Sequence, residues 1–212
     1  MNDSTCIVIF AKAPIAGFAK TRLIPALGEQ GAAELARQLL QHAVQQAAAA
    51  QAGPIELCVT PNTVHPDFAV LEHEHGVLLS LQGSGDLGER MHRAFERVLA
   101  SHSSAILIGT DAPALDAPLL LAAQQALRTH DAVFVPAHDG GYALVGLRRP
   151  CEAIFHDMTW STSTVMQETR RRAQNASIRW HELPPVHDID EPQDLIHVPA
   201  HLPFSNPSFQ SI

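Results

Sequence analysis

Short apolar runs alternate along the chain with longer segments whose apolar residues recur at helical spacing. Short unbroken runs of this kind are typical of strands buried on both faces, and the helical spacing is typical of amphipathic helices. Strands that alternate with helices predict an α/β three-layer sandwich with a mostly parallel central sheet. The predicted strands are 5–11, 55–60, 77–81, 105–108, 131–135, 142–147 and 178–181, and the predicted helices are about 29–51, 87–100, 116–129 and 163–175, with a short one within 61–75.

The fourth apolar run ends in the segment Gly109-Thr-Asp-Ala-Pro113. Asp111 therefore follows the carboxyl end of a predicted strand, which is where open α/β sheets bind ligands. One or two carboxylates together with phosphate oxygens form the usual ligand set of Mg²⁺. Because aspartate is also common in turns for its own hydrogen bonding, this stretch alone leaves both roles open.

A basic loop follows the first predicted strand and carries Lys12, Lys20 and Arg22 in a protein whose net charge is −8. Gly17 lies within it and allows close approach of the backbone to a ligand. The loop lacks the glycine and lysine spacing of a P-loop. We expect it to contact a diphosphate, the alternative being a solvated basic loop.

The segment Gly83-Ser-Gly-Asp-Leu-Gly88 matches the dinucleotide-binding pattern G-x-G-x-x-G between a predicted strand and a predicted helix. It lies in mid-chain, after two other strands, and a dinucleotide site would leave the basic loop without a function. We therefore expect this segment to line a nucleotide pocket by its backbone, with a dinucleotide-binding enzyme as an alternative.

Two late carboxylates, Asp188 and Asp190, alternate along a predicted extended segment and should face the same side. Their convergence with Asp111 on one Mg²⁺ would explain both acidic stretches. Asp190 also precedes Pro192 at the predicted start of a last helix, a role that is compatible with metal binding.

Composition narrows the classes of protein further. The negative charge argues against broad nucleic-acid binding, and no apolar run approaches the roughly 18 residues of a membrane span. The start of the chain is not basic, so no signal peptide is expected. Three widely spaced cysteines are typical of a reduced cytoplasmic protein, and His73 with His75 is expected to be a solvated helix end. We predict one domain over 1–198 and a loose tail over 199–212.

Seven motifs in register resemble the small bacterial glycosyltransferases of the arsenosugar-biosynthesis or radical-enzyme-associated type. These belong to the nucleotide-diphospho-sugar transferase superfamily, with a GT-A-type fold. The architecture is also that of molybdenum-cofactor and phospholactate nucleotidyltransferases. The motifs are 10–14, 19–23, 85–91, 109–113, 139–142, 160–163 and 188–192, and the similarity covers about 6–198.

The resemblance implies roles for particular residues. Asp111 and Asp190 would hold Mg²⁺ or Mn²⁺, with Asp188 in reserve, and Lys12, Lys20 and Arg22 would face the diphosphate. Leu87 and Gly88 would lie near the base. The sugar or the acceptor would meet Asp139, Gly140, Gly141, Tyr142, Trp160 and Ser161.

The function implied is metal-dependent transfer of a sugar from a nucleotide-diphosphate donor to a small acceptor, with Asp139 as a possible base. Pro113 stands where a full Asp-x-Asp motif would have its second carboxylate. Nucleotidyl transfer from a nucleoside triphosphate with release of pyrophosphate therefore stays open. The third hypothesis is a nucleotide-binding module without catalytic activity. The sequence does not indicate the oligomeric state.

Overall fold

The computed structural model describes residues 4–202 and contains a seven-stranded sheet. The strand order is β3-β2-β1-β4-β6-β5-β7. Strand β6 is antiparallel to both of its neighbours, and every other pair is parallel. The strands are β1 Thr5–Lys12, β2 Ile55–Thr60, β3 Leu78–Leu81, β4 Ser104–Ile108, β5 Ala132–Pro136, β6 Tyr142–Leu147 and β7 Trp180–Glu182.

Within residues 4–202, five α-helices cover the two faces of the sheet: α1 Ile24–Ala50, α2 Pro66–His75, α3 Leu87–Leu99, α4 Ala117–Ala126 and α5 Val165–Asn175. Short 3₁₀ turns lie at 21–23, 152–154 and 192–197. Helix α1 begins before the predicted start at 29, with Pro25 in its first turn. It bends at Gly28, whose φ of 70° and ψ of 170° are not helical.

The two faces of the sheet bury separate apolar clusters, which confirms the three-layer prediction. Along β1, Ile7 and Ile9 face the cluster that includes Leu40 of α1, whereas Val8 faces the cluster that includes Phe95 of α3. This alternation explains why the strand is an unbroken apolar run, since both of its faces are covered.

A third apolar cluster joins the end of the chain to the start of α1. Leu23, Leu35 and Leu39 pack there with Ile189 and Leu195. Val198 and Leu202 pack against the same cluster, and residues 203–212 of the predicted tail lie outside the described residues.

The remaining expectations from composition concern the membrane and the cysteines. Among the described helices, none combines the length and apolar character that crossing a membrane requires. All three cysteines are unpaired thiols, with Cys6 and Cys58 buried and Cys151 partly exposed. His73 and His75 lie in the last turn of α2, where His73 is exposed.

Parallel strands bring the segments that follow β1, β2, β4 and β5 to one edge of the sheet. Because β6 runs in the opposite direction, it starts at this same edge. The motifs singled out in the sequence therefore meet there.

Candidate active site

A cleft of about 540 Å³ opens at the carboxyl edge of the parallel strands. Twelve of the fifteen residues predicted for the site line it, and Gly17, Gly88 and Gly140 do not. The twelve are Lys12, Lys20, Arg22, Leu87, Asp111, Asp139, Gly141, Tyr142, Trp160, Ser161, Asp188 and Asp190.

Two of the predicted metal ligands, Asp111 and Asp190, both contact the side-chain ammonium of Lys20. The ammonium nitrogen Nζ of Lys20 lies 2.5 Å from Oδ1 of Asp111 and 2.9 Å from Oδ1 of Asp190. It also donates a hydrogen bond to the carbonyl oxygen of Ile189. Burial alone would lower the pKa of Lys20, but the ion pairs with Asp111 and Asp190 outweigh it, so the pKa is raised and the side chain stays charged.

A backbone contact holds the late acidic segment against the end of β4. The amide of Ile189 donates a 2.8 Å hydrogen bond to the carbonyl oxygen of Asp111, and the Ile189 side chain is fully buried. The residues on either side of it, Asp188 and Asp190, both line the cleft. The alternation along 188–190 therefore has two effects. The buried Ile189 anchors the segment, and Asp188 and Asp190 face the cleft.

Asp188 is the least compensated acid in the cleft. Burial raises its pKa to about 7, and the charges of Asp139, Asp111 and Asp190 add to the effect. Its Oδ1 is buried and, within the described part of the chain, has no hydrogen-bond partner. A buried carboxyl oxygen without a partner is costly, so this position favours a bound cation or a retained proton.

These carboxylates fit a divalent metal that is completed by a phosphate ligand. No group of three or more His, Cys, Asp or Glu side chains within residues 4–202 is arranged to hold a metal alone. Asp111 and Asp190 nevertheless converge on one cation, and Mg²⁺ is usually bound by one or two carboxylates plus substrate phosphates. The donor set is all oxygen, which suits Mg²⁺ or Mn²⁺.

The three cations of the basic loop differ in their contacts. Lys20 is held by carboxylates, whereas Lys12 donates a 2.6 Å hydrogen bond to the carbonyl oxygen of Phe18. Arg22 is largely exposed and lies 3.6 Å from a carboxylate oxygen of Glu191. Gly17 has a φ of +78° and shapes the loop without lining the cleft.

The Gly83–Gly88 segment opens helix α3 through a capping box between Asp86 and Glu89, as its spacing predicts. Leu87 lines the cleft, but Gly88 lies behind it. A Cβ on Gly88 would come within 2.5 Å of the carbonyl oxygen of Phe155 and 2.9 Å of Trp160. Glycine is therefore required at this position for close packing between α3 and the Trp160 turn.

Gln82 also lines the cleft, although nothing in the sequence had marked it as a site residue. Its side-chain amide nitrogen donates to the carbonyl oxygens of Ala11 and Cys58, at 3.2 and 3.1 Å. Because the amide nitrogen faces these two acceptors, the amide oxygen of Gln82 points away from them. The available signal was a polar residue between the end of an apolar strand and a glycine.

The turn between β5 and β6 supplies the opposite wall. Asp139 accepts a 2.8 Å hydrogen bond from the amide of Gly141, which is the turn role that an aspartate before two glycines predicts. Gly140 has a φ of +95°, and a Cβ there would collide with the backbone of Ser163. Asp139 thus combines a turn role with a place in the cleft.

Two aromatic rings complete this wall. Tyr142 and Trp160 pack edge to face with ring centroids 6.3 Å apart, and burial raises the pKa of the Tyr142 hydroxyl. The Trp160 ring nitrogen Nε1 is buried and, among the described residues, has no hydrogen-bond partner. Ser161 follows in a left-handed conformation with a φ of 61°. The Trp160 nitrogen packs against Gly88, where a Cβ would come within 3.0 Å of it, so it lies on the side of the ring that meets α3.

Comparison with known proteins shows the family and the fold of the chain. Residues 35–162 match the family described as "Uncharacterized protein conserved in bacteria (DUF2064)". A protein from Desulfovibrio desulfuricans G20, provisionally named a nucleotide-diphospho-sugar transferase, is 30% identical over 88% of this chain and 82% of its own, with a TM-score of 0.80. No curated protein matches the sequence.

More distant structures share the fold. The 4-diphosphocytidyl-2C-methyl-D-erythritol synthase of Anaerococcus prevotii DSM 20548 is 11% identical, covers 95% of this chain and 99% of its own, and has a TM-score of 0.63. Rv0371c from Mycobacterium tuberculosis H37Rv, in complex with manganese, is 14% identical, covers 92% and 97%, and has a TM-score of 0.56. The chain therefore belongs to the DUF2064 family and is a transferase with the nucleotide-diphospho-sugar transferase fold.

Proposed function

We propose that this protein is a metal-dependent glycosyltransferase that moves a sugar from a nucleotide-diphosphate donor to a small acceptor. The observation that carries the proposal is the convergence of Asp111 and Asp190 on one cation, in a cleft that also contains Lys12 and Arg22. Acidic and basic side chains on one cleft suit a metal-bound diphosphate, because the metal needs carboxylates and the phosphates need cations.

Asp111 and Asp190 would hold Mg²⁺ or Mn²⁺, with Asp188 as the reserve ligand. When bound, the metal would supply neutralisation of the charge that develops on the departing diphosphate. Lys12 and Arg22 would bind the phosphate oxygens from the basic loop. The manganese complex of the similarly folded Rv0371c supports the choice of a divalent metal.

The opposite wall would bind the sugar and the acceptor, and Leu87 would border the base. Asp139 would accept the proton of an acceptor hydroxyl, because its carboxylate lies in the cleft while the turn fixes its position. Gly140, Gly141, Tyr142, Trp160 and Ser161 would shape the pocket around the sugar.

The resemblance supports a finer placement among the arsenosugar-biosynthesis or radical-enzyme-associated glycosyltransferases. The unpaired thiols support a cytoplasmic location. We further propose that residues 1–198 act as one catalytic domain.

Nucleotidyl transfer is the second candidate, and the position of Pro113 favours it. The carbonyl oxygen of Pro113 lies 2.9 Å from the buried ring nitrogen Nε2 of His42, on the side of helix α1. Because Pro113 has no carboxylate, the second one on the metal would come from Asp190, an arrangement that resembles the nucleotidyltransferases. The same cleft would then bind a nucleoside triphosphate and release pyrophosphate.

The test is product analysis with Mn²⁺ and panels of nucleotide sugars and nucleoside triphosphates. We expect a nucleoside diphosphate to be released from a nucleotide sugar in the presence of an acceptor. Pyrophosphate released from a triphosphate would instead establish nucleotidyl transfer.

Asp111→Asn and Asp190→Asn should each lower turnover by about 100-fold or more. Asp157→Asn is the matched control, because Asp157 is exposed outside the cleft and asparagine tolerates its left-handed φ of 53°. Nucleotide binding that survives both active-site substitutions and removal of the metal, with no turnover of any donor, would identify a binding module instead.

A further inference from the structure

Lys20 occupies the position between the two carboxylates that a divalent metal would need. Its Nζ has three oxygen neighbours: Oδ1 of Asp111 at 2.5 Å, Oδ1 of Asp190 at 2.9 Å and the carbonyl oxygen of Ile189 at 2.5 Å. The Lys20 side chain is 8% exposed, whereas the Asp111 and Asp190 side chains are 44% and 42% exposed. The ammonium is thus enclosed while the carboxylates remain open to the cleft.

The environment of this ammonium resembles the environment of a metal ion. Two carboxylate oxygens and a main-chain carbonyl oxygen are hard oxygen ligands of the kind that Mg²⁺ and Mn²⁺ accept. A metal bound to Oδ1 of Asp111 at roughly 2 Å would lie no more than about 4.5 Å from Nζ, which is 2.5 Å from the same oxygen. Two cations that close repel each other strongly, so metal binding opposes retention of the ammonium between the carboxylates.

The neighbouring cations Lys12 and Arg22 have other partners and do not contact Asp111 or Asp190. Lys12 donates its hydrogen bond to the carbonyl oxygen of Phe18, and Arg22 lies beside Glu191. The backbone of Lys20 also has a left-handed conformation, with φ of 48° and ψ of 44°, which is unfavourable for a non-glycine residue. The contacts of its ammonium compensate for this unfavourable backbone.

We propose that Lys20 is a built-in counter-cation that competes with the divalent metal for Asp111 and Asp190. This inference rests on the metal site of the proposed function. In the metal-free protein Lys20 neutralises the two carboxylates and holds the basic loop in place. Entry of the metal releases the ammonium into the same cleft, where a donor phosphate can bind it. Lys20 therefore lowers the affinity for free metal.

The direct test is Mn²⁺ binding without any nucleotide, measured from the electron paramagnetic resonance signal of the free ion. Lys20→Met removes the charge and keeps the length of the side chain, and Lys20→Asn removes the charge while tolerating the left-handed backbone. Both variants should bind Mn²⁺ roughly tenfold or more tightly than the wild type, because a unit charge has left the site. Lys12→Met removes the same charge from the same loop without touching the carboxylates, and its Mn²⁺ affinity should match that of the wild type.

The tighter binding must also depend on the shared ligand. The double variant Lys20→Met with Asp111→Asn should lose the gain, which shows that Mn²⁺ takes the oxygen that Lys20 has vacated. Circular dichroism checks that each variant is folded, and Mn²⁺ should raise the melting temperature of Lys20→Met more than that of the wild type.

Equal or weaker Mn²⁺ binding by both folded Lys20 variants would overturn the competition. The same holds if neither the wild type nor the variants bind Mn²⁺ without nucleotide, whereas the proposed metal dependence is tested separately, by turnover with and without Mn²⁺. Because the measurement needs no donor and no turnover, tighter binding by the variants would stand even if glycosyl transfer were disproved.

Discussion

The amide nitrogen of Ile189 and the carbonyl oxygen of Asp111 are joined by a 2.8 Å hydrogen bond. This bond ties the late acidic segment to the end of β4, and the buried Ile189 side chain secures it in the cluster with Leu23 and Leu39. The spacing of the two proposed metal-binding carboxylates therefore depends on a residue whose own side chain binds no metal.

Ile189→Ala should weaken Mn²⁺ binding as well as folding. The lost packing should lower the free energy of unfolding by about 2–4 kcal/mol, as is usual for a buried isoleucine. Leu39→Ala is the control, because Leu39 is equally buried in the same cluster but lies on helix α1. Urea unfolding and Mn²⁺ titration of both variants provide the measurement. If Leu39→Ala impairs Mn²⁺ binding as much as Ile189→Ala does, then Ile189 does not position the ligands specifically.

Asp188→Asn should stabilise the metal-free protein at neutral and alkaline pH. Burial raises the pKa of Asp188 to about 7, whereas the unfolded chain has an aspartate pKa of about 4. The folded state therefore holds the proton more tightly, so wild-type stability should fall as pH rises from about 4 to about 7. The variant should lose this slope and gain up to about 4 kcal/mol at pH 8, since each pKa unit corresponds to about 1.4 kcal/mol. Urea unfolding between pH 5 and pH 8 with a chelator tests this, and parallel pH profiles for the two proteins would contradict it.

Trp160 should report ligand binding, and Trp180 should not. Trp160 lines the cleft. Trp180 lies on strand β7 and does not line the cleft, and its Nε1 donates a 2.9 Å hydrogen bond to Glu182 of the same strand. A nucleotide sugar added with Mn²⁺ should change the tryptophan fluorescence of the wild type and of Trp180→Phe. The same titration of Trp160→Phe should show little change, because the ring that reports on the cleft is gone. A full signal from Trp160→Phe would place the ligand elsewhere.

Only Cys151 should react quickly with a thiol reagent in the native protein. Burial raises the pKa of Cys6 to about 12 and also raises the pKa of Cys58, so neither supplies thiolate near neutral pH. Ellman's reagent at pH 8 should therefore label one thiol rapidly, and all three only after unfolding. Cys151→Ser should remove the rapid phase. Rapid labelling of Cys6 or Cys58 would show that the sheet opens more readily than its burial implies.

Much of the fold was predictable because strands and turn residues alternate regularly. The prediction placed β2 at 55–60 and β6 at 142–147, where the structure has them, since each is an apolar run between turn residues. The start of α1 was harder to predict, because its first turns around Pro25 are held by packing rather than by a periodic apolar face. Periodicity becomes clear only beyond the bend at Gly28.

The site was predictable as a set of residues and less so as a set of contacts. Parallel strands bring their carboxyl ends to one edge, so Asp111 and the basic loop were predictable at the same edge. Their adjacency comes from the pairing of β1 with β4, which the sequence did not predict. The partners of Lys20 could not be inferred, because a long flexible side chain selects its contacts from the three-dimensional arrangement. The roles of Gly88 and Gly140 were also hidden, since sequence shows where glycine occurs but not what its missing Cβ avoids.

The reversed direction of β6 has a consequence for how this scaffold can diversify. The β5–β6 connection is a hairpin turn at the ligand edge, so the chain returns there without a crossover helix. Lengthening such a turn leaves the strand register intact, and loops of this kind tolerate insertions. The wall that carries Asp139 can therefore be reshaped while the opposite wall, fixed by parallel strands and helix α1, stays constant. If the proposed function holds, the β5–β6 turn is the place to engineer a change of acceptor without a change of nucleotide.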